Sequence, residues 1–290
     1  MSEEIKTINI KDKDYPKLLK KIKNVPEIIY CRGGLKPKEN CFAVVGTRRC
    51  SSYGKQVALE IAGDLAEVGL TIVSGLAPGI DTFAHTTCVE RRKRTIAVLG
   101  TGIDKKSIYP QSNLKLAEKI LETGGCLISE YPPGTPGSKF TFPQRNRIVS
   151  GLSLGVLVVE AKEKSGALIT AEWARKQKRK VFAIPGLIHS LNSKGPHKLI
   201  KEGAKLVENA NDILKELGFP YSTSGVDYLS GGAPEENLIL AILKEEPLYI
   251  DKIIDKTKFS AAKVASTLAI LEIKGKVRNL GRNIYAISHS

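Results

Sequence analysis

Basic and aromatic residues are interleaved in one short stretch of the sequence, SKFTFPQRNR, which ends at Arg147. The stretch also contains Lys139, Phe142, Arg145 and Asn146. Lysine and arginine neutralise phosphates, and an aromatic ring stacks on an unpaired base whatever its identity. This combination is therefore typical of a surface that binds a single nucleic-acid strand.

The same stretch also allows a structural interpretation. Phe142 would then lie in the core, and one of the two arginines would pair with Glu130 or Glu160. The two interpretations are compatible, because one arginine can support the site while the other meets the ligand.

A turn between two glycines, GTRRCSSYG, is a second candidate anion site. It follows an apolar run, and Ser51 or Ser52 can cap the helix that we predict after it. The free amides and the dipole of a helix N-terminus attract anions, and Arg48 and Arg49 add positive charge. We therefore predict phosphate contacts at this turn, although the dinucleotide fingerprint G-x-G-x-x-G is absent.

Two further turns are compatible with phosphate binding. In SGLAPGIDTFAH, Gly75 permits close approach of a ligand to the backbone. In EAKEKSGALITAEWA, Ser165 and Gly166 stand at another predicted helix N-terminus. Neither turn carries the lysine of a Walker motif.

Residues for catalysis are harder to find. Asp81 and His85 are four residues apart, so on a helix they could act as base and orienting group. No nucleophile or metal-ligand spacing accompanies them, and a capping aspartate with a hydrogen-bonded histidine explains the pair better. The motif HExxH is absent. We therefore predict a binding protein rather than an enzyme, with neither a metal nor a cofactor.

The composition is strongly basic. The 290 residues include 45 Lys and Arg against 30 Asp and Glu, a formal net charge of +15. This excess favours a polyanionic partner, of which nucleic acid is the commonest, although a general preference for surface lysine explains it equally well.

The five cysteines are odd in number and form no CxxC, which indicates reduced thiols. With neither a signal peptide nor an apolar run long enough to span a bilayer, we expect a cytoplasmic protein without membrane contact.

Elements that could position these turns alternate regularly along the chain. Six apolar runs alternate with glycine loops and helical patterns, at residues 42–46, 71–75, 95–102, 126–130, 155–161 and 181–186. Near-continuous apolar strands are covered on both faces, as in a parallel sheet. We therefore predict an α/β fold, a Rossmann-like doubly wound and mainly parallel sheet over residues 41–218. Its strand-to-helix loops lie at one edge, where ligands bind.

The chain has additional segments on both sides of this domain. Residues 1–40 are predicted to be an extension packed on the core, with a small helix at 14–22 and a strand at 27–33. Residues 219–236 are rich in Ser, Gly and Pro and are interpreted as a linker. Residues 237–290 show three helical patterns and a hairpin, which predicts a small winged-helix domain.

The order of the motifs resembles that of the DprA/Smf family of bacterial DNA-processing proteins. The motifs that carry the resemblance are GTRRCSSYG, SGLAPGIDTFAH, TIAVLGTGIDKKSIYP, SEYPPGTP, FPQRNRIVSGLS, VVEAKEKSGALITA and FAIPG. They cover about residues 12–214, and the end of the chain resembles the winged-helix domain of many members.

This resemblance implies a sequence-independent single-stranded DNA-binding protein. Such proteins form homodimers, protect incoming strands in natural transformation and help to load a RecA-type recombinase. Motif by motif, the resemblance assigns DNA contacts to Arg48, Gly75, Lys139, Phe142, Arg145, Asn146 and Arg147. The motif SGSL of relatives reads SGAL here, so Ala167 lacks a hydroxyl that could meet phosphate. We expect the loops after the first, second, fourth and fifth predicted strands of the domain to form one basic pocket for a few nucleotides.

Two alternatives stay open at this point. A Rossmann-like nucleotide hydrolase or sensor would use Asp81, Glu130 or Glu160 on a mononucleotide, and the fold alone does not decide the function. Alternatively, the C-terminal domain reads the DNA. Its presumed recognition helix, SAAKVASTLAILEIK, is mainly apolar and offers few groups for base edges, which favours a protein contact instead.

Overall fold

The chain folds into two compact units, residues 1–220 and residues 221–290. The structure, a computed structural model, describes residues 4–219 and 234–288. We call the first the core unit and the second the C-terminal unit, and each is described by itself.

One mixed sheet forms the centre of the core unit. Within residues 4–219 it has nine strands in the order β1-β2-β6-β5-β4-β3-β7-β8-β9. Neighbouring strands from β6 to β9 in this order pair in parallel. At one end of the sheet, β2 pairs antiparallel with β6, and β1 pairs antiparallel with β2. The strands are β1 (Lys6–Asn9), β2 (Ile28–Gly33), β3 (Cys41–Val45), β4 (Thr71–Ser74), β5 (Thr95–Val98), β6 (Cys126–Ser129), β7 (Ser153–Val158), β8 (Lys180–Ala183) and β9 (Lys205–Leu206).

Helices connect the parallel strands and cover both faces of the sheet. This cover explains why every residue of β3, β4, β5 and β6 is buried. The helices of the core unit are α1 (Ser52–Glu67), α2 (Ile80–Glu90), α3 (Leu114–Glu122), α4 (Thr141–Leu152), α5 (Gly166–Lys176), α6 (Lys194–Lys201) and α7 (Ala210–Leu217). The predicted α/β fold with a mainly parallel, doubly wound sheet is confirmed.

The strand order reverses between β3 and β7. From β3 the chain adds β4, β5 and β6 on one side, and it then crosses through α4 to add β7 and β8 on the other side. Loops at the carboxyl ends of the two strands therefore leave in opposite directions and open a crevice. The candidate site lies at this crevice.

Two details near the N-terminus and α4 differ from the sequence expectations. Only the 3-10 turn Leu19–Lys21 forms where we predicted a small helix at 14–22. The predicted strand at 27–33 does form, and with β1 it extends the sheet beyond β6. The apolar run IVSGLS predicts a helix that starts near Arg145 and Asn146, whereas α4 begins at Thr141 and places these two residues in its second turn.

Within residues 234–288, the C-terminal unit contains three helices and a hairpin, as predicted for a winged helix. The helices are α8 (Pro234–Leu243), α9 (Ile250–Thr257) and α10 (Ala261–Ile273), and the strands are β10 (Leu248–Tyr249), β11 (Val277–Asn279) and β12 (Ile284–Ile287). Buried Ile253, Leu268 and Val277 belong to one apolar cluster of this unit. Helix α8 begins at Pro234, so the last three residues of the predicted linker are helical, and residues 220–233 lie outside the described residues.

Candidate nucleic-acid interface

The loops after β3, β4, β6 and β7 surround one cleft above the crevice, with a volume of about 620 Å³. The structure brings nine of the ten predicted site residues to this cleft: Arg48, Arg49, Gly75, Lys139, Phe142, Arg145, Asn146, Ser165 and Gly166. Arg147 is not among its lining residues. Among the described residues, no group of three or more His, Cys, Asp and Glu is placed to hold a metal ion.

Cations dominate the lining of the cleft. Arg48, Arg49 and Lys139, all three predicted from the sequence, are exposed. The structure adds Lys162 and Lys164, which are exposed in the loop after β7. Their position in the motif EAKEKSG would have allowed us to predict both lysines, because every strand-to-helix loop of such a sheet faces the same edge.

Arg145 lies below the surface of the cleft. It is 5% exposed, and its guanidinium donates hydrogen bonds to the carbonyl of Gly75, at 2.7 Å, and to that of Val98. Burial lowers the pKa of Arg145 to about 10, against the opposing effect of the Asp81 carboxylate, so the side chain stays charged at neutral pH. A Cβ at position 75 would approach the guanidinium to 2.5 Å, so a larger residue there would require Arg145 to shift.

Arg147 points away from the cleft and anchors α4. Its two terminal nitrogens donate to the two carboxylate oxygens of Glu130, both at 2.6 Å, and its Nε donates to the carbonyl of Asn24 at 2.9 Å. One arginine of the QRNR motif therefore has the structural role that the sequence left open.

The N-terminus of α1 differs from the expectation of a phosphate site. Ser51 caps this helix, but the buried Glu160 carboxylate accepts hydrogen bonds from the Ser51 amide at 2.9 Å and the Ser51 hydroxyl at 2.6 Å. A carboxylate of the protein itself thus occupies the position expected for an anion. Arg48 and Arg49 are the groups of this turn that remain for a ligand.

The N-terminus of α5 lines the cleft. The Ser165 hydroxyl accepts from the Ala167 amide at 3.4 Å, and the Asn146 amide group donates to the Gly166 carbonyl at 3.1 Å. Asn146 therefore ties α4 to this turn. Ala167 is buried beside it.

Aromatic rings and cations meet at one side of the cleft. The guanidinium carbon of Arg48 lies 5.7 Å from the centre of the Phe142 ring, within the range of a cation–π contact. The ring of Tyr109, which the sequence analysis did not single out, lies 5.5 Å from that of Phe142. Lys139 approaches the exposed ring of Phe140 to 5.3 Å.

Asp81 and His85 support the strand ends below the cleft. Asp81 accepts a hydrogen bond from the Gly75 amide at 3.1 Å and does not cap α2, whose N-cap is Gly79. His85 is fully buried, with Nδ1 2.8 Å from the Thr95 hydroxyl. Burial, with Arg145 nearby, lowers the pKa of His85 to about 3, so the imidazole is neutral at pH 7.

This buried histidine predicts a stability loss in acid. An unfolded chain protonates His85 near pH 6.5, whereas the folded chain does so near pH 3, so stability declines as the pH falls between these values. One extra proton taken up on unfolding corresponds to about 1.4 kcal/mol per pH unit. We expect His85→Gln to remove about this much from the slope of unfolding free energy against pH, measured with urea and Trp173 fluorescence.

The control for this experiment is His189→Gln, since His189 is exposed. Trp173 is the only tryptophan and lies in α5, so its fluorescence follows the core unit. Equal slopes for wild type and His85→Gln between pH 6 and pH 4 would contradict the attribution of the stability loss in acid to His85.

The fold and the cleft together define a class, an α/β protein with a cationic ligand site at the switch point of a Rossmann-like sheet. The family model of DNA recombination-mediator protein A matches residues 6–218, and that of the DprA winged helix domain matches residues 229–281. The chain belongs to the DNA recombination-mediator protein A family, also called DprA/Smf.

Individual relatives agree with this assignment. DNA processing protein DprA of Bacillus subtilis is 45% identical over 215 residues, which cover 73% of this chain and 71% of the relative. The solved structure of DNA processing protein A from Streptococcus pneumoniae has a TM-score of 0.69 at 43% identity and 76% coverage of each chain. DNA processing protein A from Helicobacter pylori, solved to show its single-stranded DNA binding mode, has a TM-score of 0.66 at 31% identity, with 74% of this chain and 95% of that chain covered.

Proposed function

We propose that this protein binds single-stranded DNA without sequence preference through the cleft at the β3–β7 switch point. The main observation is the charge of that cleft, which, among residues 4–219 and 234–288, is lined by six cationic side chains and one carboxylate. The cations are Arg48, Arg49, Lys139, Arg145, Lys162 and Lys164, and the carboxylate is that of Asp81. Such an excess of positive charge suits a phosphate backbone, because phosphate contacts dominate affinity for nucleic acid.

The aromatic ring of the cleft favours a single strand over a duplex. Phe142 is half-buried and lines the cleft beside Arg48 and Lys139. A ring in this position offers a face to an unpaired base, whereas the bases of a duplex are stacked on each other and unavailable. Stacking tolerates any base, so the site provides affinity without sequence selection.

The three carboxylates that were candidates for a nucleotide hydrolase already have partners within the protein. Asp81 accepts a hydrogen bond from the Gly75 amide, Glu130 forms an ion pair with Arg147, and Glu160 accepts a hydrogen bond from the Ser51 hydroxyl. Each is therefore committed to the fold. This engagement supports a binding function over the mononucleotide alternative.

The family assignment supports a role in recombination. We propose that the protein protects incoming strands in natural transformation, acts in the cytoplasm as a homodimer and helps to load a RecA-type recombinase. Recombinase loading is testable by following ATP hydrolysis by a RecA-type protein on DNA coated with a single-strand-binding protein. Acceleration by this protein supports the role, and an unchanged rate contradicts it.

Competition between ligands tests the binding function itself. A fluorescent oligo-dT bound to the protein is displaced by unlabelled oligo-dT, by a matched duplex or by thymidine monophosphate. We expect displacement by the oligonucleotide alone at micromolar concentration. Displacement by the mononucleotide at a similar concentration would support the hydrolase or sensor alternative instead.

Substitutions in the wing test whether the C-terminal unit reads the DNA. Arg278 lies in β11 and Arg282 in the turn that follows, and both are exposed. We expect the double variant Arg278→Ala/Arg282→Ala to bind oligo-dT within about twofold of wild type, because the phosphate contacts lie in the core unit. A tenfold loss in a fluorescence anisotropy titration would assign the wing a direct contact.

A further inference from the structure

Tyr109 is a half-exposed side chain at the edge of the cleft. Its side chain is 50% exposed, in the loop that follows β5. The Tyr109 ring contacts the Phe142 ring at 5.5 Å between centres with an angle of 42° between the planes. Since Phe142 lines the cleft, the two rings form one aromatic surface that continues beyond it.

Other tyrosines of the core unit use their hydroxyls differently. The Tyr53 hydroxyl donates to the Pro185 carbonyl at 3.0 Å, and the Tyr131 hydroxyl donates to the Gln144 side chain at 3.0 Å. Within residues 4–219 and 234–288, no hydrogen bond holds the Tyr109 hydroxyl. The ring of Tyr109 thus contacts Phe142 and is half exposed to solvent.

The loop that carries Tyr109 is held firmly against the loop after β6. Asp104 accepts hydrogen bonds from the Gly134 amide at 2.7 Å and from the Ser107 hydroxyl at 3.0 Å. The Gly102 amide donates to the Thr135 carbonyl at 2.9 Å. A ring on such a braced loop is ordered before any ligand arrives, so binding costs little additional conformational entropy.

Positive charge accompanies this aromatic surface. Arg48 lies against Phe142, and Lys106 is exposed on the same loop as Tyr109. A base on Tyr109 would therefore have cations near its phosphates, which is the arrangement that binds single strands.

We infer that Tyr109 is a second stacking platform, which takes the base next to the one that contacts Phe142 and extends the site by one nucleotide. The inference rests on the proposed function, since it assigns a further subsite to the same DNA-binding cleft. The loop after β5 thereby joins the loops after β3, β4, β6 and β7 in contacting the strand.

A length series of oligo-dT tests the inference with Tyr109→Ala and Tyr109→Leu. Leucine keeps apolar bulk against Phe142 but lacks a stacking face. We expect both variants to bind longer oligonucleotides about tenfold more weakly than wild type, within the range of one lost base stack, and the shortest binding oligonucleotide equally well. Tyr109→Phe should retain wild-type affinity at every length.

Tyr53→Ala is the matched control, because Tyr53 is 49% exposed and does not line the cleft. Photocrosslinking with 5-iodouracil at each position of the oligonucleotide gives a second readout, which should identify Tyr109 in wild type. Tyr109 variants that match Tyr53→Ala at every length, with no crosslink to Tyr109, would overturn the inference. Failure of wild type to bind any oligonucleotide would instead overturn the proposed function.

Discussion

The double variant Arg48→Ala/Lys139→Ala is expected to bind oligo-dT about a hundredfold more weakly than wild type. A charge-assisted hydrogen bond contributes roughly 1.5–3 kcal/mol, and about 1.4 kcal/mol corresponds to a tenfold change in affinity. Both side chains are exposed, line the cleft and approach aromatic rings. Neither pairs with a carboxylate in the described part of the chain. The loss therefore falls on binding rather than on stability, and fluorescence anisotropy measures it directly.

A second double variant separates local contacts from net charge. Lys176→Ala/Lys198→Ala removes the same number of charges from α5 and α6, outside the lining of the cleft. We expect it to bind within about threefold of wild type at 0.1 M salt, where charges more than 10 Å apart are screened. Equal losses for the two double variants would mean that only overall charge attracts DNA.

The variant Arg147→Ala is expected to lower the stability of the core unit by about 3 kcal/mol, because removing one partner leaves a largely buried charge unpaired. The two side chains of the Arg147–Glu130 pair are 12% and 17% exposed, with the nearest atoms 2.6 Å apart. Urea unfolding followed by Trp173 fluorescence measures the change.

Arg175→Ala provides the control for burial. The Arg175–Glu202 pair has the same separation of 2.6 Å, but its side chains are 36% and 38% exposed. Exposed pairs contribute little to stability, so we expect a urea midpoint close to that of wild type. If Arg147→Ala were no more destabilising than Arg175→Ala, and instead lost DNA affinity as Arg48→Ala/Lys139→Ala is expected to, then Arg147 would be a DNA contact.

The sequence predicted the elements with the strongest local signals. Strands β3 to β8 are short apolar runs between glycine loops, and burial on both faces dictates such a pattern. Helices α6 and α7 were not identified, since α6 has Gly195 and Pro196 in its first turn and both helices are short. The loops of the site followed from topology, because strand-to-helix loops share one edge.

The roles of individual side chains depended on contacts between distant residues. Arg145 and Arg147 are two positions apart, yet one reaches the ends of β4 and β5 while the other reaches Glu130. Glu160 binds Ser51 across 109 positions of sequence, so its presence at the N-terminus of α1 had no local signal. Tyr109 was missed for the same reason, since its contact with Phe142 exists only in the folded chain.

A salt series of oligo-dT and a matched duplex tests the central claim most directly. For a single strand, each phosphate contact contributes about 0.7 to the slope of log affinity against log salt. We predict strong preference for the single strand, a steep slope for wild type, and a slope shallower by about 1.4 for Arg48→Ala/Lys139→Ala, which lacks two contacts. Equal affinity for both DNA forms, with a slope that the double variant leaves unchanged, would contradict the assignment of the cleft as the DNA-binding site.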